Sequence, residues 1–454
     1  MITHKISRGF DIPLAGACDR VVVDAPTPQR VAVEAADFPG LKAKMLVAEG
    51  DRVQTGQPLF FDKKRDGVRL VSPGTGKVVA VELGARRALQ RVVIELEDQD
   101  DYCSELPTLD LVRLRQGGFE RSAIVEAIVG AGLWPLLRQR PIGKVADPNR
   151  EPVAVYLNGM DTEPLAADPS FLVQGQSEEL QAGVDLLRQL TSGQVYLTVR
   201  AGEQPKEFEA LHGVEMHGFK GAHPAGLVGT HIRTIRPMKA DESAYSLRVQ
   251  DAVQLGRWLL TGHYPTERMV AVVGEGVADR RYVRTRQGAD LRSLMGRFWG
   301  ESTRTINGTV LSGRAADRDG SLGFYAQTLT CILEGEGERD LFGWMIPQPN
   351  KLSFHRAMWS WILPRKKGFS VDARVHGGPR AIVNIGAWEA VTALDIHPTY
   401  LVRAIQSDDL EEAISLGLLE VTEEDVALCT FVDPCKIDVG AVIRKGLDLY
   451  EAEG

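Results

Sequence analysis

Residues 46–97 read LVAEGDRVQTGQPLFFDKKRDGVRLVSPGTGKVVAVELGARRALQRVVIELE, and this stretch says most about the fold. Gly50-Asp51 and Gly56-Gln57 interrupt short apolar runs, and Ser72-Pro73-Gly74 interrupts another. Turn-forming residues between short apolar runs are typical of strands joined by tight turns. The stretch therefore predicts a small unit built of several short β-strands.

The order EGDxVxxGxPLF followed by SPxxGxV resembles the biotinyl/lipoyl-type barrel-sandwich domain. The resemblance implies that fold for residues 1–105. In carrier members of that family, a lysine at a hairpin tip holds the prosthetic group. Lys63 and Lys64 lie near this tip, but their spacing to Pro73 is slightly longer than lipoyl domains use. The resemblance therefore supports the fold more strongly than a carrier function.

Length and composition describe an ordinary globular protein. A chain of 454 residues predicts two to four domains, and 44% hydrophobic with 25% charged residues is typical of such proteins. The net charge of −8 gives no electrostatic support to a nucleic-acid partner. Five cysteines are few and odd in number, which indicates a reducing compartment rather than a disulfide framework.

The sequence predicts no membrane-spanning segment. The first residues have no apolar core of signal-peptide length, and no run of about 18 apolar residues occurs. The richest apolar aromatic stretch, residues 357–363, is followed by Pro364 and the basic residues 365–367. We interpret this stretch as a buried helix end. The alternative is contact with a membrane surface or with a membrane-embedded partner.

Residues 106–255 predict a Rossmann-like α/β domain. A helix over 120–130, a strand over 152–157, a helix over 177–190 and a strand over 194–199 give the strand–helix–strand order of parallel sheets. A dinucleotide site needs a glycine-rich turn between strand and helix. Gly130-Ala131-Gly132 is only a fragment of such a turn, and bulky Leu133-Trp134 follows it. We therefore expect no dinucleotide bound in the usual way.

Histidine and glycine are concentrated in residues 212–231. Their spacings do not match the i,i+4 pairs of common metal sites, so we predict no metal site and interpret the segment as a functional loop. The histidines are His212, His217, His223 and His231.

Residues 256–375 predict a β-grasp domain of the soluble-ligand-binding (SLBB-like) type. Strands are expected over 269–273, 282–285, 303–311 and 327–333, with a helix over 291–296 and a hairpin turn at 334–337. Gly274-x-Gly276 lacks the third glycine of a dinucleotide loop and precedes a strand, so we interpret it as a turn.

Residues 376–454 predict a helical domain. Helices are expected over 398–406, 408–415 and 423–429. Cys429 and Cys435 form C-x5-C, which cannot supply the closely spaced thiolates of a four-iron cluster, so we interpret both as structural. The layout resembles an Fe-S domain without its cluster.

Taken in order, these segments resemble the NqrA family, the NqrA subunit of the bacterial Na⁺-translocating NADH:quinone reductase, over nearly the whole chain. The motifs that carry the resemblance are RGFDIPLAG (8–16), SPGTGKVV (72–79), MDTEPLAADP (160–169), GAHPAGLVGTH (221–231), LFGW (341–344), CTFV (429–432) and the tail 440–454. The family motif usually reads CTFVCPGK, whereas here Asp433 precedes the proline and Cys435 follows it. The family is also similar to the C subunit of the Rnf complex and to the NADH-binding flavoprotein subunit of respiratory complex I.

The resemblance implies a peripheral subunit on the cytoplasmic face of the bacterial inner membrane. It implies partners that include membrane-embedded subunits, a complex that passes electrons from NADH to ubiquinone, and export of Na⁺. FMN, FAD, Fe-S centres and the NADH site are expected on partner subunits, with no cofactor held tightly by this chain. We see no catalytic triad and assign no catalytic residue.

A quinone-proximal position is the one site that we predict. Trp134, Arg138, Arg140 and Lys144 lie where the relatives hold flavin, and they offer an aromatic face beside hydrogen-bond donors. The alternative is that these residues only pack against a partner subunit. Two other functions stay open: an independent flavin-dependent NADH-oxidising protein of the Rnf C-subunit type, and a lipoyl- or biotin-type carrier modified at Lys63 or Lys64.

Overall fold

A computed structural model describes residues 1–65, 67–203, 205–295, 299–300, 302–335, 347–362, 368–375, 377–383 and 385–453. The described strands, in chain order, are β1 (Ile2–Lys5), β2 (Val22–Asp24), β3 (Arg30–Glu34), β4 (Ala43–Met45), β5 (Arg52–Val53), β6 (Pro58–Asp62), β7 (Arg69–Val71), β8 (Gly76–Leu83), β9 (Leu89–Leu96), β10 (Arg138–Arg140), β11 (Lys144–Val145), β12 (Ala154–Asn158), β13 (Gln194–Arg200), β14 (Glu215–Lys220), β15 (Ala244–Arg248), β16 (Glu267–Val273), β17 (Arg281–Arg286), β18 (Thr303–Asn307), β19 (Arg314–Ala316) and β20 (Thr328–Leu333).

The described α-helices are α1 (Leu111–Arg115), α2 (Arg121–Gly130), α3 (Pro169–Leu172), α4 (Ser177–Arg188), α5 (Lys206–Glu209), α6 (Val228–Ile235), α7 (Val249–Thr261), α8 (Leu291–Met295), α9 (Ala387–Val391), α10 (Pro398–Gln406), α11 (Leu410–Ser415), α12 (Ala427–Val432) and α13 (Val439–Glu453). Short 3-10 helices are Ala35–Asp37, Ala85–Arg87, Trp134–Leu136, Trp359–Trp361, Leu418–Glu420 and Glu423–Val426.

The N-terminal stretch forms two small antiparallel sheets, as the turn pattern predicts. One has the strand order β3-β9-β8-β5 and the other β4-β6-β7. The two sheets bury Val53, Leu59, Phe60, Val78 and Ile94. The buried residues of this unit share one apolar cluster with those of the α/β domain, so the two are packed together.

The α/β domain is organised around a sheet of order β1-β14-β13-β12-β15-β10-β11. Strands β1, β14, β13, β12 and β15 are parallel, which confirms the predicted strand–helix–strand arrangement. Helices α4 and α7 pack together on the sheet, and a Cβ on Gly256 would lie 1.7 Å from the carbonyl oxygen of Glu179. Helix α6 packs with Tyr156 and Tyr196 in a separate small core.

The first 24 residues contribute to sheets far along the chain. Strand β1 pairs in parallel with β14, and β2 pairs in parallel with β17. Both are short and lie at sheet edges, where a single neighbour supplies their hydrogen bonds. The N-terminal stretch therefore ties the barrel-like unit to the two domains that follow, which the sequence pattern did not indicate.

The third domain has the sheet order β19-β18-β20-β16-β17-β2. Gly274-x-Gly276 is confirmed as a turn: the Gly276 N–H donates to the carbonyl oxygen of Cys331, and a Cβ on Gly274 would lie 2.1 Å from that oxygen. Strand β18 ends four residues earlier than predicted. The predicted hairpin turn at 334–337 lies partly, and the LFGW motif wholly, outside the described residues.

The C-terminal domain is helical, as predicted. Helices α10, α11 and α12 match the three expected helices, although the last begins as a 3-10 turn over Glu423–Val426. Together with α13 they bury Leu401, Leu428 and Ile443 in a core of their own. The interpretation of residues 357–363 as a buried helix end is wrong for its described part, because Trp359 and Trp361 are each 55% exposed.

Candidate functional site at the carboxyl edge of the parallel sheet

The centre of the parallel sheet marks where a ligand site is expected. Strand β12 has β13 on one side and β15 on the other, so the order of the parallel strands along the sheet reverses there. In open parallel sheets, ligands bind beyond the carboxyl ends of the strands at this switch point. Asn158 and Arg248, the last residues of β12 and β15, are in register at this edge.

Ionisable side chains from three of the four parts of the chain, the first, second and fourth, converge on this edge. We name this group the junction cluster. Its members are Asp11, Arg140, Asp161, Glu163, His223, Arg248, Glu424 and Asp425.

The loop after β12 supplies the first two carboxylates of the junction cluster. Glu163 is 8% exposed, and its Oε2 accepts hydrogen bonds from Thr309 Oγ1 at 2.5 Å and Ser312 Oγ at 2.7 Å. Burial raises the pKa of Glu163 despite these donors. Burial, and then the charge of Glu163, raise the pKa of Asp161 to about 6. The pair is therefore disposed to hold a proton near neutral pH.

His223 lies against these carboxylates on the loop between β14 and α6. Its backbone N–H donates to Asp11 Oδ1 at 2.9 Å, and its Nδ1 lies 3.2 Å from Thr162 Oγ1. Burial lowers the pKa of His223, although Asp161 and Asp11 act in the opposite direction. Its Nε2 has no hydrogen-bond partner among the residues that the structure describes. His223 is thus a buried imidazole with one ring nitrogen unused.

Arg140 links the sheet to the C-terminal domain. Its Nη1 donates to Asp425 Oδ2 and its Nη2 to Glu424 Oε1, both at 2.7 Å. Asp425 Oδ2 also accepts from the Thr422 N–H and hydroxyl, which closes a capping box. Burial disfavours ionisation of Glu424, but the charges of Arg138 and Arg140 outweigh it and lower its pKa. The ion pairs close the junction cluster on the side of the C-terminal domain.

The four residues predicted to be quinone-proximal do not line one open pocket in this structure. Trp134 is 0% exposed, and its Nε1 donates to the carbonyl oxygen of Ala146 at 2.7 Å. Lys144 Nζ donates to Asp448 and Glu451 at 2.6 Å each. Arg138 lies 5.7 Å from the ring centre of Tyr325 and 3.7 Å from Glu424. Arg138, Arg140 and Lys144 instead hold the β10–β11 hairpin against the C-terminal domain.

Sequence reasoning missed the carboxylates of the junction cluster. Asp161 and Glu163 stand out in the sequence only as part of a family motif, although they come three and five residues after the end of a parallel strand. That position is itself a signal, because it places them at the carboxyl edge. Glu424 and Asp425 could not have been found this way, since the domain docking that brings them in leaves no trace in local sequence.

The interpretation of residues 212–231 as a loop is wrong for part of the segment, because β14 and the first turn of α6 lie within it. Only His223 joins the junction cluster. His217 Nδ1 lies 2.9 Å from His4 Nε2, and its Nε2 lies 3.0 Å from Glu215 Oε1. His231 is fully buried, and burial lowers its pKa to about 3. Within the described ranges, no three His, Cys, Asp or Glu side chains are arranged to hold a metal ion.

The Gly130-Ala131-Gly132 fragment lies at the end of α2, not at the start of a helix. A Cβ on Gly132 would lie 2.3 Å from Val71 Cγ1, so the glycine allows α2 to contact the N-terminal unit. The fragment therefore has a packing function in this structure.

Cys429 and Cys435 are both buried. Burial raises the pKa of Cys429 to about 12, and its Sγ lies 3.3 Å from Thr392 Oγ1. Asp433 Oδ2 accepts a hydrogen bond from the Ile437 N–H at 2.8 Å, so the carboxylate that departs from the family motif stabilises the turn before α13. Both buried thiols therefore contribute to packing.

The hairpin tip of the N-terminal unit contacts the C-terminal helix. Arg65 bonds Asp62 Oδ2 at 3.2 Å and Glu451 Oε1 at 3.3 Å, and it is largely buried. Lys63 and Lys64 are exposed beside it. In the part of the chain that the structure describes, no helix is long and apolar enough to cross a membrane.

Comparison with known proteins agrees with this organisation. The families described as "NqrA N-terminal barrel-sandwich hybrid domain", "NqrA second alpha/beta domain" and "NQRA C-terminal domain" match residues 4–97, 119–264 and 269–318. The barrel-sandwich prediction for the N-terminal unit is confirmed, together with the α/β character of the second domain.

Relatives match along their whole length. The NqrA subunit of the Na⁺-translocating NADH-quinone reductase of Neisseria gonorrhoeae is 39% identical over 99% of this chain and 100% of its own. The corresponding subunit of Vibrio alginolyticus is 38% identical over 100% of both chains. A solved NAD⁺-reducing NiFe hydrogenase aligns with a TM-score of 0.41 at 11% identity, over 94% of this chain and 83% of that chain, a likeness too low to support an argument. The chain belongs to the NqrA family of Na⁺-translocating NADH-quinone reductase subunits.

Proposed function

We propose that this chain is the NqrA subunit of a complex that oxidises NADH, reduces ubiquinone and exports Na⁺. The observation that carries the proposal is similarity from end to end, at 39% identity, to proteins named for that activity. The subunit would lie on the cytoplasmic face of the inner membrane, in contact with membrane-embedded partners, and would support the ubiquinone-reducing end of electron transfer.

We further propose that the redox groups, FMN, FAD and Fe-S centres, and the NADH site belong to partner subunits. Support comes from the junction cluster, in which ionisable side chains and the loop between β14 and α6 occupy the edge where a parallel sheet would bind a nucleotide. The α/β domain is likewise proposed to be Rossmann-like and the third domain β-grasp-like. The domain boundaries near residues 105, 255 and 375 belong to this proposal.

Neither alternative function is favoured by a specific observation. An independent flavin-dependent NADH oxidase would need a phosphate loop, and the glycine fragment at 130–132 packs against Val71 instead. A lipoyl- or biotin-type carrier would need a mobile tip, whereas Arg65 ties the tip beside Lys63 and Lys64 to Glu451.

The complex assignment is tested by affinity purification of the tagged chain from detergent-solubilised membranes of its host. We expect membrane subunits to co-purify, with NADH:quinone reductase activity that Na⁺ stimulates. A chain that purifies alone, or activity indifferent to Na⁺, would contradict the assignment.

Whether this chain itself contacts quinone is a separate proposal. The Trp134 indole lies within the core and its Nε1 donates to Ala146, which follows β11, so a quinone could reach it only if the residues around it moved. The proposal therefore places quinone contact in a second arrangement of the hairpin, in which Arg138, Arg140 and Lys144 leave their carboxylate partners.

Trp134→Phe in the assembled complex tests this proposal. It keeps an aromatic ring but removes the N–H, so we expect the KM for ubiquinone to rise several-fold while NADH oxidation with an artificial acceptor is unchanged. Trp258→Phe is a matched control, because Trp258 is also buried and its Nε1 donates to the carbonyl oxygen of Pro107. Equal effects of the two substitutions on the KM would argue that Trp134 only packs.

A further inference from the structure

Three large apolar side chains project from one short turn. Trp359, Trp361 and Ile362 are 55%, 55% and 58% exposed, and the 3-10 helix Trp359–Trp361 holds them together. We name residues 359–362 the tryptophan turn. Exposed apolar groups concentrated in this way mark contact surfaces rather than ordinary surface positions.

The tryptophan turn is mounted on the C-terminal domain. Leu352 and Phe354 pack against its helical core, and Phe354 meets Phe10 edge to face at 5.2 Å. Within the turn, Ser360 is buried and its Oγ donates to the carbonyl oxygen of Lys351 at 2.5 Å. Apolar residues before the turn therefore point inward, while those of the turn point outward from a fixed support.

The surrounding sequence has the opposite charge from the rest of the chain. Residues 347–385 contain seven Lys or Arg residues and one Asp, a net charge of +6, whereas the whole chain carries −8. The basic residues are Lys351, Arg356, Arg365, Lys366, Lys367, Arg374 and Arg380. Arg356 lies with its guanidinium 5.9 Å from the centre of the Trp361 ring.

We propose that the tryptophan turn docks on the surface of an anionic lipid bilayer. Tryptophan is favoured at the boundary between water and hydrocarbon, since its ring is apolar and its N–H can remain hydrated. Lys and Arg near such a group are attracted to anionic headgroups. A lipid surface fits better than a protein partner because no acidic residue lies between 347 and 371 to give the mixed charges of a protein interface.

This contact belongs to the chain itself and does not depend on the proposed enzymatic function. It is measured with the purified full chain and no partner subunit. A failure of lipid binding would leave the complex assignment untouched, and a failure of the assignment would leave lipid binding testable.

The test is flotation of the full chain with vesicles of neutral phosphatidylcholine and with vesicles that also contain anionic phosphatidylglycerol. We expect binding only to the anionic vesicles, lost at high salt because ions screen the headgroups. Replacing both tryptophans, Trp359→Ser with Trp361→Ser, should lower the partition coefficient about tenfold or more, since burial of two large rings is lost.

Two control variants separate the contributions. Val112→Ser changes a side chain that is 63% exposed in α1, outside the C-terminal domain, and should leave binding unchanged. Arg356→Glu should weaken binding to anionic vesicles at low salt. Circular dichroism and thermal unfolding establish that each variant is folded.

The proposal is overturned if the chain does not float with anionic vesicles, or if the double tryptophan variant floats as well as the parent chain. Binding to solubilised membrane subunits without binding to vesicles would overturn it in favour of a protein partner.

Discussion

The junction cluster and the core of the C-terminal domain are filled by opposite kinds of side chain. Arg140, Glu163, His223 and Asp425 of the junction cluster are buried, as are the residues of the helical core. The junction cluster is filled with ionisable groups held by mutual hydrogen bonds, such as Arg140 with Glu424 and Asp425. The helical core is filled with apolar side chains, among which Cys429 is an inert thiol.

The two regions differ in their capacity to bind protons. Buried ion pairs stabilise a fold weakly at best, because desolvation of the charges offsets their attraction. An apolar core of the same size packs at no such cost. A region that keeps carboxylates, an arginine and a histidine with an unused nitrogen therefore retains the capacity to bind protons, whereas the helical core retains only its packing.

The largest effect should come from Arg140→Ala. Asp425 would remain buried without its cation, while Glu424 would keep Arg138 at 3.7 Å, and removal of one partner from a buried pair costs about 3–5 kcal/mol in the free energy of unfolding. Urea denaturation of the purified chain measures the loss.

The control for this change is Arg292→Ala, which breaks an ion pair with Asp319 whose two side chains are each 71% exposed. Its effect should stay within about 1 kcal/mol. If the two variants lost equal stability, the distinction between a buried cluster and surface ion pairs would fail.

A smaller effect is expected from Cys429→Ala in the helical core. Loss of one buried sulfur should lower the free energy of unfolding by about 1–2 kcal/mol. In the parent chain, a thiol reagent at neutral pH should modify part-exposed Cys18 and Cys103 but not Cys429 or Cys435 until the chain unfolds. Peptide mass analysis after labelling gives the readout, and rapid modification of Cys429 in the folded chain would contradict a purely structural thiol.

The smallest effect concerns pH and Asp161. Its pKa of about 6 in the folded chain lies above the value of about 4 in an unfolded chain, so its protonated form favours folding. This stabilisation is complete below about pH 4 and is lost as pH rises through about 6. Asp161 is part-exposed, so we expect about 1 kcal/mol or less.

Asp161→Asn should remove that part of the pH dependence. The measurement is urea denaturation of parent and variant between the two pKa values. The parent chain should lose stability relative to the variant as pH rises through this window, and parallel curves for the two chains would show that Asp161 titrates normally.

Local pattern located several elements, although it missed β14, β15 and α7, and it did not indicate how the elements assemble. The period of apolar residues located α4 and α10, since each buries one face along its own length. The β-branched residues located β13, whose five central residues are all buried. The sequence around Lys63 and around Arg140 does not reveal their C-terminal contacts, because those carboxylates come about 285 or more residues later. Trp134 is buried in this structure, and the sequence could not indicate this because no local signal distinguishes a core tryptophan from a pocket tryptophan.

The pairing of β1 with β14 and of β2 with β17 has a consequence for the order of events in the cell. A ribosome releases the first residues long before their partners exist, since Ile2 faces His217 and Val22 faces Tyr282. During that interval both segments must wait as extended chain with unpaired backbone, and contacts between residues so far apart form slowly. The beginning of the polypeptide is thus among the last parts to be secured, and maturation of the two downstream sheets sets the moment at which it is.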